Sequence, residues 1–272
     1  YNSLLIHARG LSYQYEFYTH KDNTEDSHII MSKHKNPSSP QEIFPLHCLQ
    51  DEAPILLKAL RETQLINWHK EIAFNIVPDF LLQELQQILK EKGGSEANII
   101  PFSGSMFIYA PGVEVSCPAG FSVEKLGDAG LQTLFNSWRY NVYADIDWYS
   151  AIVKSGLACG VYKSQQGSSH SPEVDKITTA GDSEVPIAWI TLCPYGQLGL
   201  LATEEGYRRQ GLGGLVTQVA AQVVERDGFI PIAMVEDYNN NSQGMFKKLG
   251  WTVVFRCTSL LMTKEGLKVD KL

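Results

Sequence analysis

The chain has 272 residues, 44% hydrophobic and 19% charged, the make-up of a folded protein with a packed core and room for one large domain or two small ones. Its net charge of -7 argues against a nucleic-acid surface, since a duplex binder presents a basic face, and its longest apolar runs, such as "PIAWITLC", fall far short of a membrane span. Five cysteines, Cys48, Cys117, Cys159, Cys193 and Cys257, are odd in number and widely spaced without a C-x-x-C pair, so neither a disulfide framework nor a zinc knuckle is expected.

In chain order, the first part mixes β-like runs ("YQYEFYT", "SHIIMS", "EIAFNIV", "GSMFIYA") with two helical patterns. These are "DEAPILLKALRETQLI", residues 51–66, and "DFLLQELQQILKEKG", which should stop at Gly93-Gly94. Periodicity disappears around "APGVEVSCPAG", where Pro and Gly accumulate, and this places a domain boundary near Ser116, dividing the chain into 1–116 and 117–272. The second unit starts with strand "FSVEKL", a helix "DAGLQTLFNSWRY" capped by Asp128, a helix in "DIDWYSAIVKSG" and strand "ACGVYKS". Gln165 to Glu184 is polar and rich in Ser and Gly, and reads as a long, mobile hairpin connection that the fold could lose. Strand "PIAWITLC", a turn at Pro194 to Gly196 and strand "QLGLLAT" follow. Beyond a glycine-rich turn, Leu212, Leu215, Val216, Val219, Ala220, Val223 and Val224 fall on one face of a four-turn helix. Strand "IPIAMVE", helix "NNSQGMFKKLG" and two strands, "WTVVF" and "CTSLLM", complete the unit.

The seven histidines, six of them ahead of residue 70, lack the i, i+4 spacing of a helical metal site, and no metal is assigned. Cysteines without a pairing pattern suit a reducing, intracellular compartment. Because the chain opens at Tyr1, the natural N-terminus is expected upstream, which leaves cytoplasm or mitochondrion open.

The glycine turn carries the chemistry. Gly211, Gly213 and Gly214 remove side chains from several consecutive amides at the positive end of a helix, and the natural ligand of such a place is phosphate. "RRQGLGG" lacks the Lys-Ser/Thr of a P-loop, and its glycines are not spaced G-x-G-x-x-G, so neither common phosphate cradle applies.

What remains, Arg208-x-x-Gly211-x-Gly213 between an apolar strand and a long amphipathic helix, resembles the pyrophosphate-binding motif of the GNAT superfamily of acyl-CoA-dependent N-acyltransferases. Asn239, Ser242, Phe246 and "KKLGW" match that superfamily's N-x-x-S/A-x-x-x-Y/F-x-K-x-G-F/W signature in order and spacing. "LINWHKEIAFNIVPDFLLQEL", "NSWRYN" and "CGVYKS" further resemble the glycine N-acyltransferase-like branch. The resemblance implies an α/β (α+β) GNAT fold, a mixed central sheet with flanking helices, whose C-terminal unit follows a degenerate GNAT-like half. It implies that Arg208 and the amides of Arg209, Gln210, Gly211, Leu212, Gly213 and Gly214 hold the pyrophosphate of acetyl-CoA or another acyl-CoA. Backbone groups of Leu201, Ala202 and Thr203 would pair with the pantetheine arm, and Asn239 and Phe246 would complete the cofactor side.

Two positions depart from relatives. Phe246 stands where many members carry a tyrosine that protonates the leaving thiolate, with Tyr238 and Ser242 as nearby substitutes. Gln197 stands where glycine-conjugating relatives carry a glutamate base, and an amide cannot take a proton. Trp138, Arg139, Tyr140, Asp145 and Trp148 are candidates to line the acceptor slot. The expected reaction is acyl transfer to a small amine or amino acid, without nucleic-acid or membrane partners. A peptide or protein acceptor, or a non-catalytic acyl-CoA binder, are the alternatives.

Overall fold

The computed structural model describes residues 2–11, 15–19, 28–34, 41–94, 97–138, 141, 146–165 and 167–263. The chain forms two compact units, a smaller one of Tyr13–Ser105 with Phe255–Leu272 and a larger one of Tyr1–Ser12 with Met106–Val254. The division lies upstream of the Pro/Gly-rich stretch around Ser116, and neither unit is continuous in sequence.

A short helix, α1 (Asn2–Ala8), opens the chain and belongs to the larger unit. The smaller unit then lays down β1 (Tyr15–Tyr18), β2 (Ile30–His34), β3 (Gln41–Ile43), β4 (Leu46–His47), α2 (Ala53–Glu62), β5 (Glu71–Pro78), α3 (Asp79–Gly93) and most of β6 (Asn98–Ile108). β1 and β3 pair antiparallel with β2, while β3 pairs parallel with β5, so the sheet is mixed. Leu81, Leu85, Ile88 and Leu89 recur at helical spacing on α3 and bury one stripe of it among Phe74, Val77 and other core residues. The helix stops where expected, with Gly94 in a left-handed conformation just beyond Gly93. By contrast α2 ends at Glu62, four residues before the expected Ile66. There Thr63 Oγ1 accepts from the Leu65 amide and Asn67 Oδ1 from the His69 amide, side-chain bonds that compete with helix continuation.

The larger unit continues with β7 (Phe121–Lys125), α4 (Asp128–Ser137), α5 (Ile146–Lys154), β8 (Ala158–Lys163), β9 (Ala188–Leu192), β10 (Leu198–Thr203), α6 (Leu212–Arg226), β11 (Ile232–Glu236) and α7 (Asn240–Lys248). Strands β10, β9, β8 and β7 form an antiparallel sheet in that order, and α6 lies across β8, β9 and β10 with Leu215, Val216, Val219, Ala220, Val223 and Val224 buried. The two strands expected at the C-terminal end are one, β12 (Thr252–Thr263), whose Leu260 and Met262 pair with Phe74 and Ile72 of β5 in the smaller unit.

Two local expectations are corrected. Asp128 does not cap α4: the cap position is Gly127, and the Ala129 amide donates to the carbonyl of Asp182 at 3.0 Å. That carbonyl belongs to the Gln165 to Glu184 connection, which is built into the unit. The Lys125 amide donates to Thr178 and the Ala180 amide to the Lys125 carbonyl, Cys117 and His170 exchange backbone bonds, and Ala180 is buried. Polar composition hid this because the connection contributes backbone groups, which composition does not encode.

Candidate active site

β10 is irregular in the middle. Gly199 pairs with Thr191 and Ala202 with Trp189, so the strand holds one residue more than its partner over this stretch, and Leu200 sits at φ +55°. This is a β-bulge, with a branched side chain in a region that L-residues rarely visit. Glu204 again donates to Ile187 on the β9 side, so by alternation Thr203 and Leu201 turn their backbone groups to the opposite edge. β11 runs beside that edge without sharing a ladder with β10. The consequence is a slot between two strands with hydrogen-bonding groups on its wall.

Beyond β10 the chain makes a 3-10 turn, Glu205–Tyr207, and enters the glycine turn. Arg208 Nε donates to the Thr203 carbonyl at 3.1 Å, folding the turn back onto the end of the strand. Arg209 is left-handed at φ +63° and Gly211 at φ +81°, and Gly211 is the cap residue of α6. Among the described residues no side chain caps this helix, and its first turn carries no acidic residue. The first intrahelical bond runs from the Leu215 amide to Gly211, so the amides of Leu212, Gly213 and Gly214 precede the ladder. Placing exposed Arg208 and Arg209 at the positive end of a helix dipole is unfavourable unless an anion joins them. The glycines serve different ends. Gly211 supplies the left-handed φ, a Cβ on Gly213 would stand 3.3 Å from Thr203 Oγ1, and one on Gly214 would meet Leu249, just past α7, at 3.4 Å.

The remaining residues singled out from sequence lie on several elements of the larger unit. Gln197 closes the β9–β10 hairpin, its carbonyl accepting from the Cys193 amide at 2.7 Å, and stands at the end of β10 opposite the glycine turn. Its side-chain Oε1 is buried with no hydrogen-bond partner among the described residues. The indole N–H groups of Trp148 on α5 and Trp189 on β9 are likewise buried and unpaired. Trp148 packs edge-on against Tyr149 at 4.9 Å, and Tyr149 also meets Trp138, 6.3 Å away. Arg139, Tyr140 and Asp145 lie outside the described residues.

Asn239 is the side-chain cap of α7, its Oδ1 accepting from the Ser242 amide at 3.1 Å. Phe246 is 3% exposed, sealed between Phe107 at 5.4 Å and Trp251 at 4.9 Å, and the Trp251 indole donates to Gln218 Oε1. Asn239 Oδ1 and the Phe246 ring thus fix the start and the packing of α7. Tyr238 is 62% exposed and its hydroxyl donates to Glu236 Oε2. Cys193, with its Sγ 2.8 Å from the Cβ position of Gly199, is buried, and burial pushes its thiol up to about 12. A thiol so protonated is no nucleophile at neutral pH. Among the described residues no group of three or more His, Cys, Asp or Glu is placed to hold a metal, and no helix is long and apolar enough to cross a membrane.

Residues 179–260, which span β9, the bulged β10, the glycine turn and α6, match the family described as FR47-like protein. A Drosophila protein solved as a structural-genomics target is similar over 98% of this chain and 89% of its own, with a TM-score of 0.77 at 17% identity. The GCN5-related N-acetyltransferase from Kribbella flavida is similar over 100% of this chain and 98% of its own (TM-score 0.54, 16% identity), and the one from Sphaerobacter thermophilus over 89% and 79% (0.53, 9%). No curated protein sequence matches the chain. At these identities the likeness is one of fold: this chain has the GNAT fold.

Proposed function

We propose that the protein is an acyl-CoA-dependent N-acyltransferase of the GNAT superfamily, acting on a small amine or amino acid of the glycine type. One observation carries the reading: the uncapped start of α6, with free amides at Leu212, Gly213 and Gly214 and two arginines beside them, directly follows a bulged strand whose outer edge has no ladder partner among the described residues. Such an end is a site for the pyrophosphate of CoA. The outward backbone groups of Leu201 and the Thr203 amide can pair with a pantetheine arm as an added strand would, the Thr203 carbonyl being held by Arg208. Bound acyl-CoA supplies a thioester carbonyl as electrophile.

The chain's own groups then bind and orient. The acceptor amine, neutral, would attack that carbonyl; the C–N bond forms, the C–S bond breaks, CoA leaves as thiolate and the amine gives up one proton to solvent. The buried thiol of Cys193 supports direct transfer over a covalent enzyme intermediate. Gln197 can accept a hydrogen bond from an acceptor N–H at its unpaired Oε1, though not a proton. The unpaired indole donors of Trp148 and Trp189 suit an acceptor carrying oxygen acceptors, as an amino acid does. Tyr238 donates its hydroxyl proton to Glu236, so it would have to leave that bond to protonate the departing thiolate.

Calorimetry with CoA tests the phosphate site. Gln210→Glu introduces a like charge on an exposed residue of the turn and should weaken CoA by about tenfold, the order of charge effects at a helix end. Gly213→Glu, which also fills the gap to Thr203, should abolish measurable binding. Unchanged affinity in the folded variants overturns the assignment. A second reading, an acyl-CoA binder without turnover, is favoured by the absence of a base at Gln197 and of a phenol at Phe246. Thioester loss measured against a panel of small amines and peptides separates it from the first and sorts acceptor size.

A further inference from the structure

Asn2 is 5% exposed, and its side chain makes three hydrogen bonds. Its Nδ2 donates to the Gly196 carbonyl at 2.7 Å and to the Ile230 carbonyl at 2.8 Å, and its Oδ1 accepts from the Ile230 amide at 3.0 Å. Gly196 and Ile230 each stand two residues ahead of a strand, β10 from Leu198 and β11 from Ile232. One side chain thus ties together the starts of the two strands that border the slot. The approach is close: Gly196 is left-handed at φ +79°, and a Cβ there would collide with that of Asn2. Along α1, Ser3 Oγ reaches the Tyr195 carbonyl, Ile6 is fully buried, and Arg9 bonds both the carboxylate and the carbonyl of Asp227 while lying over the Phe229 ring at 5.3 Å.

A slot between strands has a spacing problem. In a continuous sheet the ladder holds neighbours about 4.8 Å apart. β10 and β11 share no ladder: α6 leaves β10 at the glycine-turn end and feeds β11 at the opposite end through residues 227–231, and at that opposite end, among the described residues, the Asn2 side chain bonds both strand starts. We infer that Asn2 is a positioning residue that fixes the width of the slot at the end where Gln197 stands, with α1 as its carrier. The inference rests on the proposed acyl transfer for its kinetic consequence, not for its structural one. Catalytic geometry has to be held within about 0.5 Å, and a misplacement of about 1 Å can cost on the order of 100-fold.

The test uses Asn2→Ala, the milder Asn2→Ser, Gly196→Ala, which displaces Asn2 from the opposite side, and Arg9→Ala, which loosens α1 while leaving the tie intact. Asn2→Ala and Gly196→Ala should lower kcat roughly 10- to 100-fold, while CoA affinity by calorimetry, set mainly at the other end of β10, changes by less than about threefold. Asn2→Ser, which retains one donor, should fall between, and Arg9→Ala should lower the melting temperature without lowering kcat. Amide hydrogen exchange is read in parallel: protection should drop in Leu198–Leu201 and Ile232–Val235 of the Asn2 variants and stay unchanged in β7 and β8. If wild type transfers no acyl group, the proposed function fails, and exchange alone decides the tie. Unaltered exchange at β10 and β11 in Asn2→Ser overturns the inference, as does an equal loss of kcat in Arg9→Ala.

Discussion

Under the proposed acyl transfer, Gln197 is the residue on which acceptor choice would turn. At pH 7 a peptide-like α-amine of pKa about 8 is roughly one-tenth neutral, whereas a lysine amine near 10.4 is neutral about once in 2,500 molecules. A missing general base typically forfeits roughly 10²- to 10⁴-fold in rate. The shortfall would bear hardest on strongly basic amines, so under the proposed function weakly basic acceptors would be favoured. Gln197→Glu keeps the shape of the side chain and places a carboxylate where Oε1 is now buried and unpaired. Burial will raise that carboxyl's pKa, so the variant should accelerate transfer to glycine at neutral pH, with the gain lost as the medium is acidified through the raised pKa. Thioester consumption from pH 6 to 10 with glycine and with a weakly basic amine checks this. Identical profiles for the two proteins would remove Gln197 from the acceptor nitrogen. At this scale the sequence marked candidate residues and said less of what they pack against. Asn239 and Phe246 were legible as a motif, yet a helix cap and a core ring are the roles the structure gives them. The backbone conformations of Leu200 and Arg209 carried no signal, because a left-handed φ at a non-glycine residue has no counterpart in residue type.

At the scale of elements, the Gln165 to Glu184 connection changes status once its backbone partners are counted. It provides the acceptor for the Ala129 amide in place of a side-chain cap, a parallel bridge to Lys125, the Cys117–His170 exchange and an ion pair from Asp175 to Arg226 on α6. At about 1 kcal/mol for each buried backbone bond, and roughly 2–4 °C per kcal/mol in a protein of this size, replacing it with a short Gly/Ser turn should lower the melting temperature by roughly 10 °C. A calorimetric scan that moves by about a degree or less would return the segment to the status of a dispensable insertion. The elements with strong periodicity, α3 and α6 above all, were legible because one stripe of apolar residues had to be buried. β3, β4 and α1 were not, being too short for any period to show: their reasons lie in partners such as Gly196, far away in sequence.

For the whole molecule, the discontinuity of the units has a practical edge. A fragment cut at the composition boundary, residues 117–272, would hold the glycine turn, α6 and the Asn239–Trp251 motif, yet it would lack Asn2, Phe107 and Tyr109. Within the larger unit these supply the tie to Gly196, the ring against Phe246 and the ring 5.5 Å from Trp251. The fragment should therefore lack cooperative unfolding by circular dichroism and bind CoA at least about tenfold more weakly than the full chain, since a binding-competent state only fractionally populated weakens apparent affinity in proportion. A fragment that melts cooperatively and binds CoA as the full chain does would show those contacts to be superfluous.

The turn at Arg208 to Gly214 offers bare amides and guanidinium groups to whatever oxyanion arrives, and bare amides do not distinguish an ester of phosphoric acid from its inorganic parent. Sulfate and orthophosphate in a buffer are thus rivals for the place, and added salt shortens the reach of the two arginines to about 10 Å at 0.1 M. Under the proposed function, the affinity for a phosphorylated substrate would in that sense be a joint property of the turn and of the electrolyte around it.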